Sequence, residues 1–149
     1  GTKMCIKTAA GDITVCYNGS LKTGTATPGA GETIVWYTAP TGGTVTTAPS
    51  GTAVGIYTAY AAAKNTNNCE SALRTLVTVT IYALPSAPTA GDITVCYDGS
   101  LNTGTATPGA GETIVWYTAP TGGTVTTAPS GTAVGISTAY VAAKNTNNC

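Results

Sequence analysis

The sequence ETIVWYTAPTGGTVTTAPSG occupies residues 32–51 and occurs again, unchanged, at residues 112–131. β-Branched and aromatic residues dominate its first part, which predicts a β-strand over 32–39. Proline and two glycines then supply a turn at 40–43, and a second β-rich segment follows at 44–48. The stretch therefore predicts a β-hairpin that is present twice in the chain.

The repetition extends well beyond this hairpin. Residues 10–69 align without a gap with residues 90–149, and four of the sixty aligned positions differ. Self-similarity at a fixed period of 80 residues predicts two copies of one domain. We divide the chain into a leader or end of a preceding segment (1–9), repeat 1 (10–83), a proline-containing linker (84–89) and repeat 2 (90–149).

Proline and glycine interrupt the chain about every 8–12 residues, a spacing typical of a β-sandwich or barrel. We therefore expect an all-β fold made of tandem sandwiches. Repeat 1 continues into a valine-rich last strand over 73–83, whereas repeat 2 stops at Cys149. We expect repeat 2 to lack its last strand, either because the parent sequence is truncated here or because another chain supplies the strand. Asn18-Gly19 is typical of a type I′ hairpin turn, which predicts that the strands flanking it pair.

Strand alternation predicts which side chains face the core, because successive residues point to opposite sides. Two of the four differences, Tyr57/Ser137 and Ala61/Val141, share one parity of a predicted strand. A Tyr-to-Ser change would open a cavity in a core, so we expect that parity to face solvent. The opposite parity then assigns Tyr60 and Tyr140 to the core, together with Trp36 and Trp116 of the first hairpin strand.

Charge excludes several classes of partner. The chain has six basic and six acidic residues, and charged residues make up 8% of it. The sequence lacks the basic patch that would predict a nucleic-acid partner. No apolar run approaches the roughly 18–20 residues of a membrane span. Thirty-two threonines predict a neutral, hydroxyl-rich β surface instead.

Four of the five cysteines occupy equivalent positions in the two repeats, and Cys5 is the exception. Cys16 and Cys69 of repeat 1 correspond to Cys96 and Cys149 of repeat 2. The simplest pairing joins Cys16 to Cys69 and Cys96 to Cys149, which implies an oxidising compartment; four buried thiols are the alternative. Cys5 has no counterpart, and an intermolecular bridge, a partner outside this sequence and a free thiol all remain open.

Catalytic and metal chemistry have little support in the sequence. The chain has no histidine, so a serine or cysteine triad has no usual base. No loop carries two nearby acids for calcium, and PTGGT lacks the Lys-Ser/Thr ending of a phosphate-binding loop. We expect no enzymatic activity, no metal and no cofactor.

Exposed aromatic side chains leave ligand binding open. Tyr37 has the opposite parity to Trp36, its counterpart is Tyr117, and Tyr57 falls on the expected solvent side. Aromatic faces beside threonine and asparagine suit sugar stacking, so these three tyrosines are candidate ligand contacts. Tyr57 is serine in repeat 2, however, so the two copies would not share such a site.

Four segments in order carry a family resemblance: DITVC, IVWY followed by GGT, YTAYAAAKNTNNCES and RTLVTVTI. This order resembles the immunoglobulin-like repeats of secreted Bacteroidetes proteins, of the type associated with the C-terminal sorting domain. It covers residues 10–83 and, as far as they go, residues 90–149. The resemblance implies tandem immunoglobulin-like sandwiches, export by the type IX route, an extracellular or cell-surface location, and no shared catalytic residues.

The function implied is that of a structural repeat in a large adhesin, stalk or filament. Its partners would be neighbouring repeats and other copies in a fibre. The alternative is a glycan- or partner-binding module of a secreted protein, for which a surface glycan would be the ligand.

Overall fold

In the computed structural model, residues 8–149 are described, and the chain divides into two units between residues 83 and 84. Every regular element in the described range is a β-strand, which confirms the all-β expectation. The strands of the first unit are β1 (Ala9–Gly11), β2 (Ile13–Cys16), β3 (Lys22–Thr23), β4 (Thr25–Thr27), β5 (Thr33–Tyr37), β6 (Val45–Thr46), β7 (Ser50–Gly51), β8 (Gly55–Lys64) and β9 (Thr75–Tyr82).

Five strands of the first unit form one sheet in the order β2-β9-β8-β5-β6. β9 pairs antiparallel with β8, placing Ala59 opposite Val77, and parallel with β2, placing Ile13 beside Val79. The short pairs β1–β4 and β3–β7 form separate sheets. Gly24, between β3 and β4, approaches the Val77 and Val79 side chains, so these short strands cover the core face of the large sheet.

Strict alternation places one face of β9 in the core. Thr75, Val77, Val79 and Ile81 are all buried, as their shared parity predicts. Leu73 has the same parity and is expected in the core too, but it precedes the first residue of β9 and is 72% exposed. On β8, Ala59 lies opposite Val77 and Ala61 opposite Thr75, and both alanines are buried. These small side chains leave room for the residues at the start of β9, whereas Tyr57 lies opposite Val79.

The predicted faces of β8 are wrong. Ala61 is 0% exposed and lies on the core face opposite Thr75, whereas Tyr60 is half-buried on the other face and Tyr140 is 47% exposed. The argument from the Tyr57/Ser137 difference fails because it assumes the same packing in both repeats. Residues 135–139 of repeat 2 form no strand, so Ser137 does not occupy the environment of Tyr57.

The tryptophans lie on the core side without being fully enclosed. Trp36 is directly opposite Ala61 in the β5–β8 ladder, so its side chain shares the core face. Both Trp36 and Trp116 are half-buried. The predicted face is therefore correct for Trp36, but neither ring is buried at the centre of a core.

Asn18-Gly19 does not form the predicted hairpin. Gly19 has a φ of 78°, but Asn18 is absent from the non-glycine residues with positive φ, which a type I′ turn would require. The Asn18 Oδ1 atom instead accepts hydrogen bonds from the Ser20 backbone N–H and hydroxyl. The chain crosses here to the short strands, since β2 pairs with β9 while β3 pairs with β7.

The second unit repeats part of this arrangement. Its strands are β10 (Thr89–Gly91), β11 (Asn102–Thr103), β12 (Thr105–Thr107), β13 (Thr113–Tyr117), β14 (Val125–Thr126), β15 (Ser130–Gly131) and β16 (Tyr140–Lys144). They pair as β10-β12, β11-β15 and β14-β13-β16, in the same register as in the first unit.

Two segments that are strands in repeat 1 have no regular structure in repeat 2, namely residues 92–97 and 135–139. Their counterparts, β2 and the first half of β8, have β9 as their ladder partner in the large sheet. No segment of 84–149 corresponds to β9 in sequence. Val95 in the first of these segments is 59% exposed, whereas its counterpart Val15 in β2 is half-buried.

A matched glycine pair tests the dependence of the core on β9. A Cβ atom at Gly24 would lie 2.8 Å from Val77 Cγ1 and 2.9 Å from Pro49 Cγ, whereas at Gly104 the nearest atom is Pro129 Cγ at 3.0 Å. We expect Gly24→Ala to destabilise the first unit by about 1–3 kcal/mol through overpacking. Gly104→Ala should lower the free energy of unfolding of the second unit by clearly less than this.

Urea unfolding followed by residue-resolved amide hydrogen exchange would measure each unit separately. An equal loss of protection in both variants would contradict the packing of Gly24 against β9.

Candidate functional site

The outer face of the large sheet, opposite the core, carries a row of large side chains. Tyr37 on β5 is directly opposite Tyr60 on β8, which is in turn opposite Leu76 on β9. Directly opposite residues share a face. The row therefore brings together three side chains that are distant in sequence.

Arg74 covers one end of this row. Its guanidinium carbon lies 3.5 Å from the centroid of the Tyr37 ring, a cation–π arrangement. Its Nη1 atom also donates hydrogen bonds to the Ala39 and Gly42 carbonyl oxygens, both at 2.7 Å. These carbonyls belong to the predicted β5–β6 hairpin turn, in which Gly42 and Gly43 have positive φ values of 63° and 68°. Arg74 thus connects the start of β9 to that turn.

Glu70 completes the cluster from the loop between β8 and β9. The Tyr37 hydroxyl donates to both carboxylate oxygens of Glu70, at 2.7 and 2.8 Å. This hydrogen bond is the largest of the effects that raise the pKa of Tyr37 above its ordinary value of 10.0, because ionised tyrosine could no longer donate it. We call Tyr37, Tyr60, Glu70 and Arg74 the Tyr37 cluster.

The Tyr37 cluster is poorly suited to sugar stacking. Arg74 lies over the Tyr37 ring, and Glu70 holds the hydroxyl. A sugar stacking on the covered face would have to displace the guanidinium and both of its hydrogen bonds to the turn. The geometry therefore indicates a structural role for Tyr37 in repeat 1.

Tyr57 lies on the core side, contrary to the solvent exposure predicted for it. It is directly opposite Val79 in the ladder and half-buried. Its ring covers Gly51, where an added Cβ would collide with the ring carbons, and its hydroxyl donates to the Ala53 carbonyl at 3.0 Å. Tyr57 is thus a packing residue, and its assignment as a ligand contact is wrong.

Tyr117, the counterpart of Tyr37, has a different environment. It lines an open pocket of about 460 Å³ together with residues of the 119–123 turn and of β16.

The cysteines of repeat 1 lie at opposite ends of the sheet. We call the Thr75 end of β9 the first pole and the Tyr82 end the second pole. Cys16 lies beside Tyr82 at the second pole. Cys69 lies at the first pole, in the turn that follows β8, where its carbonyl accepts from the Asn65 backbone N–H.

This separation excludes the predicted bridge within repeat 1. Seven residue steps of extended strand span about 23 Å, whereas the Cα atoms of bridged cysteines lie about 4.4–6.8 Å apart. The Cys16–Cys69 pairing is therefore wrong. In the second unit Cys96 carries an exposed thiol, so the Cys96–Cys149 bridge is not formed either. Cys5 lies outside the described residues.

The acidic side chains hold backbone groups of the fold. Asp12 accepts a hydrogen bond from the Thr78 backbone N–H at 2.9 Å, next to the β2–β9 pairing. In repeat 2, the Ser100 hydroxyl donates to Asp98 and holds the pKa of that carboxyl below its ordinary value. Within residues 8–149, no three His, Cys, Asp or Glu side chains gather as a metal site would require.

Sequence reasoning missed Glu70 and Arg74. Both precede the last strand, and neither belongs to a motif of known chemistry. Their spacing of four residues around a loop carries no signal, because they meet Tyr37 through the order of strands in the sheet. Arg74 is, however, the single arginine of the chain, and that rarity was a signal available in the sequence.

A family model described as an Ig-like domain, CHU_C associated, matches residues 6–82, more than half of the chain. The match confirms the resemblance to the immunoglobulin-like repeats linked to Bacteroidetes C-terminal sorting proteins, a type associated with secreted or surface proteins. No curated protein matches the chain. Among the described residues, no helix has the length and apolarity that crossing a membrane requires.

The Glu70–Tyr37 hydrogen bond can be tested by pH titration. A folded-state pKa raised above 10.0 contributes stability that is present below that pH and lost as the pH rises through the raised value. We expect Glu70→Gln to lower the pKa of Tyr37 towards its ordinary value, as measured by phenolate absorbance. Tyr37→Phe serves as the control that identifies the transition, and an unchanged transition in Glu70→Gln would contradict the assignment.

Proposed function

The chain belongs to the family of Ig-like domains associated with CHU_C, and we propose that it is a structural segment of a large exported adhesin, stalk or filament. In this proposal both units are immunoglobulin-like repeats located outside the cell. Their function is to add length and stiffness, and they carry out no catalysis.

The path of the chain through the first unit carries this proposal. At the first pole, the Thr75 hydroxyl donates to the Thr8 carbonyl at 3.1 Å, so the chain arrives at that end. It leaves at the second pole, where β9 ends at Tyr82. The points at which the chain enters and leaves the first unit are thus separated by the length of β9, about 23 Å. Domains of this kind in series add their lengths.

The linker supports the same function. Residues 84–89 contain Pro85 and Pro88, and proline-rich connectors favour extended conformations over compact ones. Such a linker keeps successive repeats apart along one direction. A flexible, glycine-rich linker would allow the repeats to fold back on each other.

The cysteine positions extend the proposal to covalent links between neighbouring repeats. The cysteines of one repeat lie too far apart to pair, but they lie at the two ends through which repeats in series would meet. A second-pole cysteine would then pair with a first-pole cysteine of the following repeat, here Cys16 with Cys149. Each bond forms from two thiols, which lose two protons and two electrons to a disulfide oxidant that is itself reduced to two thiols.

The alternative function is that of a glycan- or partner-binding module. Of its three candidate tyrosines, Tyr37 is covered by Arg74 and Tyr57 packs in the core. Tyr117 borders an open pocket, so one of the three candidates retains a surface on which a ligand could bind. The structural function therefore has the stronger support.

Solution scattering tests the elongated arrangement. A compact body of 149 residues has a radius of gyration of about 15 Å. We expect a clearly larger value and a scattering profile typical of a rod for the whole chain. A radius near 15 Å, indicating two units packed side by side, would contradict the stalk function.

Peptide mapping under non-reducing conditions tests the disulfide pattern. We expect protease fragments containing Cys16 and Cys149 to be linked, and Cys16→Ser to release the Cys149 fragment. Recovery of Cys16 linked to Cys69, or of Cys96 linked to Cys149, would contradict cross-linking between repeats.

A further inference from the structure

Asn18 is the one asparagine of the sequence that is followed by a glycine. It lies in the exposed segment Tyr17-Asn18-Gly19-Ser20, between β2 and β3. Its Oδ1 atom accepts hydrogen bonds from the Ser20 backbone N–H at 3.0 Å and from the Ser20 hydroxyl at 2.7 Å. The side-chain amide is therefore folded along the backbone that follows it, and two donors point at its carbonyl oxygen.

Gly19 leaves the surroundings of its backbone nitrogen open. Its φ of 78° lies in the left-handed region, which glycine adopts without the strain that a side chain would bring. Among the described residues other than its two chain neighbours, a Cβ atom built here would have one atom within 4 Å, the Tyr17 hydroxyl oxygen at 3.9 Å. The turn therefore offers little steric obstruction to a reaction at the Gly19 nitrogen.

The equivalent turn of the second unit holds a carboxylic acid in place of the amide. Asp98 corresponds to Asn18, and Gly99 has a φ of 79°. The Ser100 backbone N–H and hydroxyl donate to Asp98 Oδ1 at 2.9 and 2.5 Å. The same two donors thus hold an amide oxygen in one turn and a carboxylate oxygen in the other, so an aspartate at position 18 fits this conformation.

We propose that Asn18 is a site of self-modification, at which the side-chain amide is converted to a carboxylic acid with the Gly19 backbone nitrogen as the nucleophile. This nitrogen gives up its proton to a base of the solvent and attacks the Asn18 Cγ atom, forming a C–N bond. The bond from Cγ to the side-chain nitrogen breaks, and ammonia leaves with a proton returned by the solvent. Water then opens the cyclic imide at either of its carbonyls, giving aspartate or isoaspartate.

The two hydrogen bonds from Ser20 promote the attack on Cγ. Negative charge develops on Oδ1 as the new C–N bond forms, and donors that are already in place stabilise this charge more strongly than they stabilise the neutral amide. Ser20 is thus a positioning residue for the reaction, and Gly19 supplies the reacting nitrogen.

Asp98 resists the same attack. The hydrogen bond from the Ser100 hydroxyl holds the pKa of the Asp98 carboxyl below its ordinary value, so this group is ionised at neutral pH. A carboxylate is a poor electrophile, because attack would add further negative charge to a group that already carries one. The acid is therefore the end point of the reaction in this turn.

The test incubates the whole chain at neutral and at mildly alkaline pH and follows its proteolytic peptides by mass spectrometry. We expect first-order loss of the Asn18 amide, faster at alkaline pH because the attacking nitrogen must lose its proton. In isotope-labelled water the product should take up heavy oxygen. The chain should gain one negative charge from a net charge of zero, which isoelectric focusing would show as an acidic shift.

Substitutions in the two turns separate the effect of the donors from that of the Asn-Gly pair. Ser20→Ala should slow the loss of the amide by about two- to ten-fold, the rate equivalent of one typical hydrogen bond, and Ser20→Thr should restore it. Asp98→Asn places an amide in the matched turn of the second unit, where we expect it to be lost at a rate comparable to that of Asn18.

Loss of the Asn18 amide no faster than that of Asn67, which precedes another asparagine, would overturn the proposal. An unchanged rate in Ser20→Ala, or a stable amide in Asp98→Asn, would overturn it as well. The proposal does not rest on the stalk function, since amide loss and the scattering profile are independent measurements and either can fail alone.

Discussion

The strand β9 is the element on which the rest of the first unit depends. It has a ladder partner on each side, β8 antiparallel and β2 parallel, and its alternate residues from Thr75 to Ile81 are buried. Its N-terminal flank also carries Arg74, which secures the β5–β6 turn. One segment of eight residues therefore links the core, the sheet order and the outer-face cluster.

The two units differ in structure because residues 84–149 include no segment equivalent to this strand. Residues 12–17 and 92–97 have the same sequence, DITVCY, yet Ile13–Cys16 is a strand while 92–97 has no regular structure. A strand needs ladder partners for its backbone N–H and C=O groups, and local propensity cannot supply them. The second half of the β8-like strand persists in repeat 2 as β16 because its partner there is β13, which repeat 2 contains.

The positions of the cysteines in the first unit depend on the same sheet topology. Since β2 runs parallel to β9 and β8 runs against it, Cys16 and Cys69 occupy opposite poles. Thr8, near the start of the unit, and Tyr82, near its end, likewise lie at opposite ends of β9. Cys16 therefore lies at the end of the first unit where β9 ends, and Cys69 lies at the end where β9 begins.

The sequence by itself determined the elements with local causes. The PTGG turn follows from glycines that adopt positive φ, and the buried face of β9 follows from its two-residue alternation. The duplication and the family membership of the first repeat were also readable from residue order. The partners of each strand were not, because pairing joins segments far apart in the chain and leaves no local pattern. Tertiary structure alone therefore decided that Asn18-Gly19 leads into another sheet, that Ala61 rather than Tyr60 faces the core, that Arg74 meets Tyr37, and that the cysteines of one repeat lie too far apart to bond.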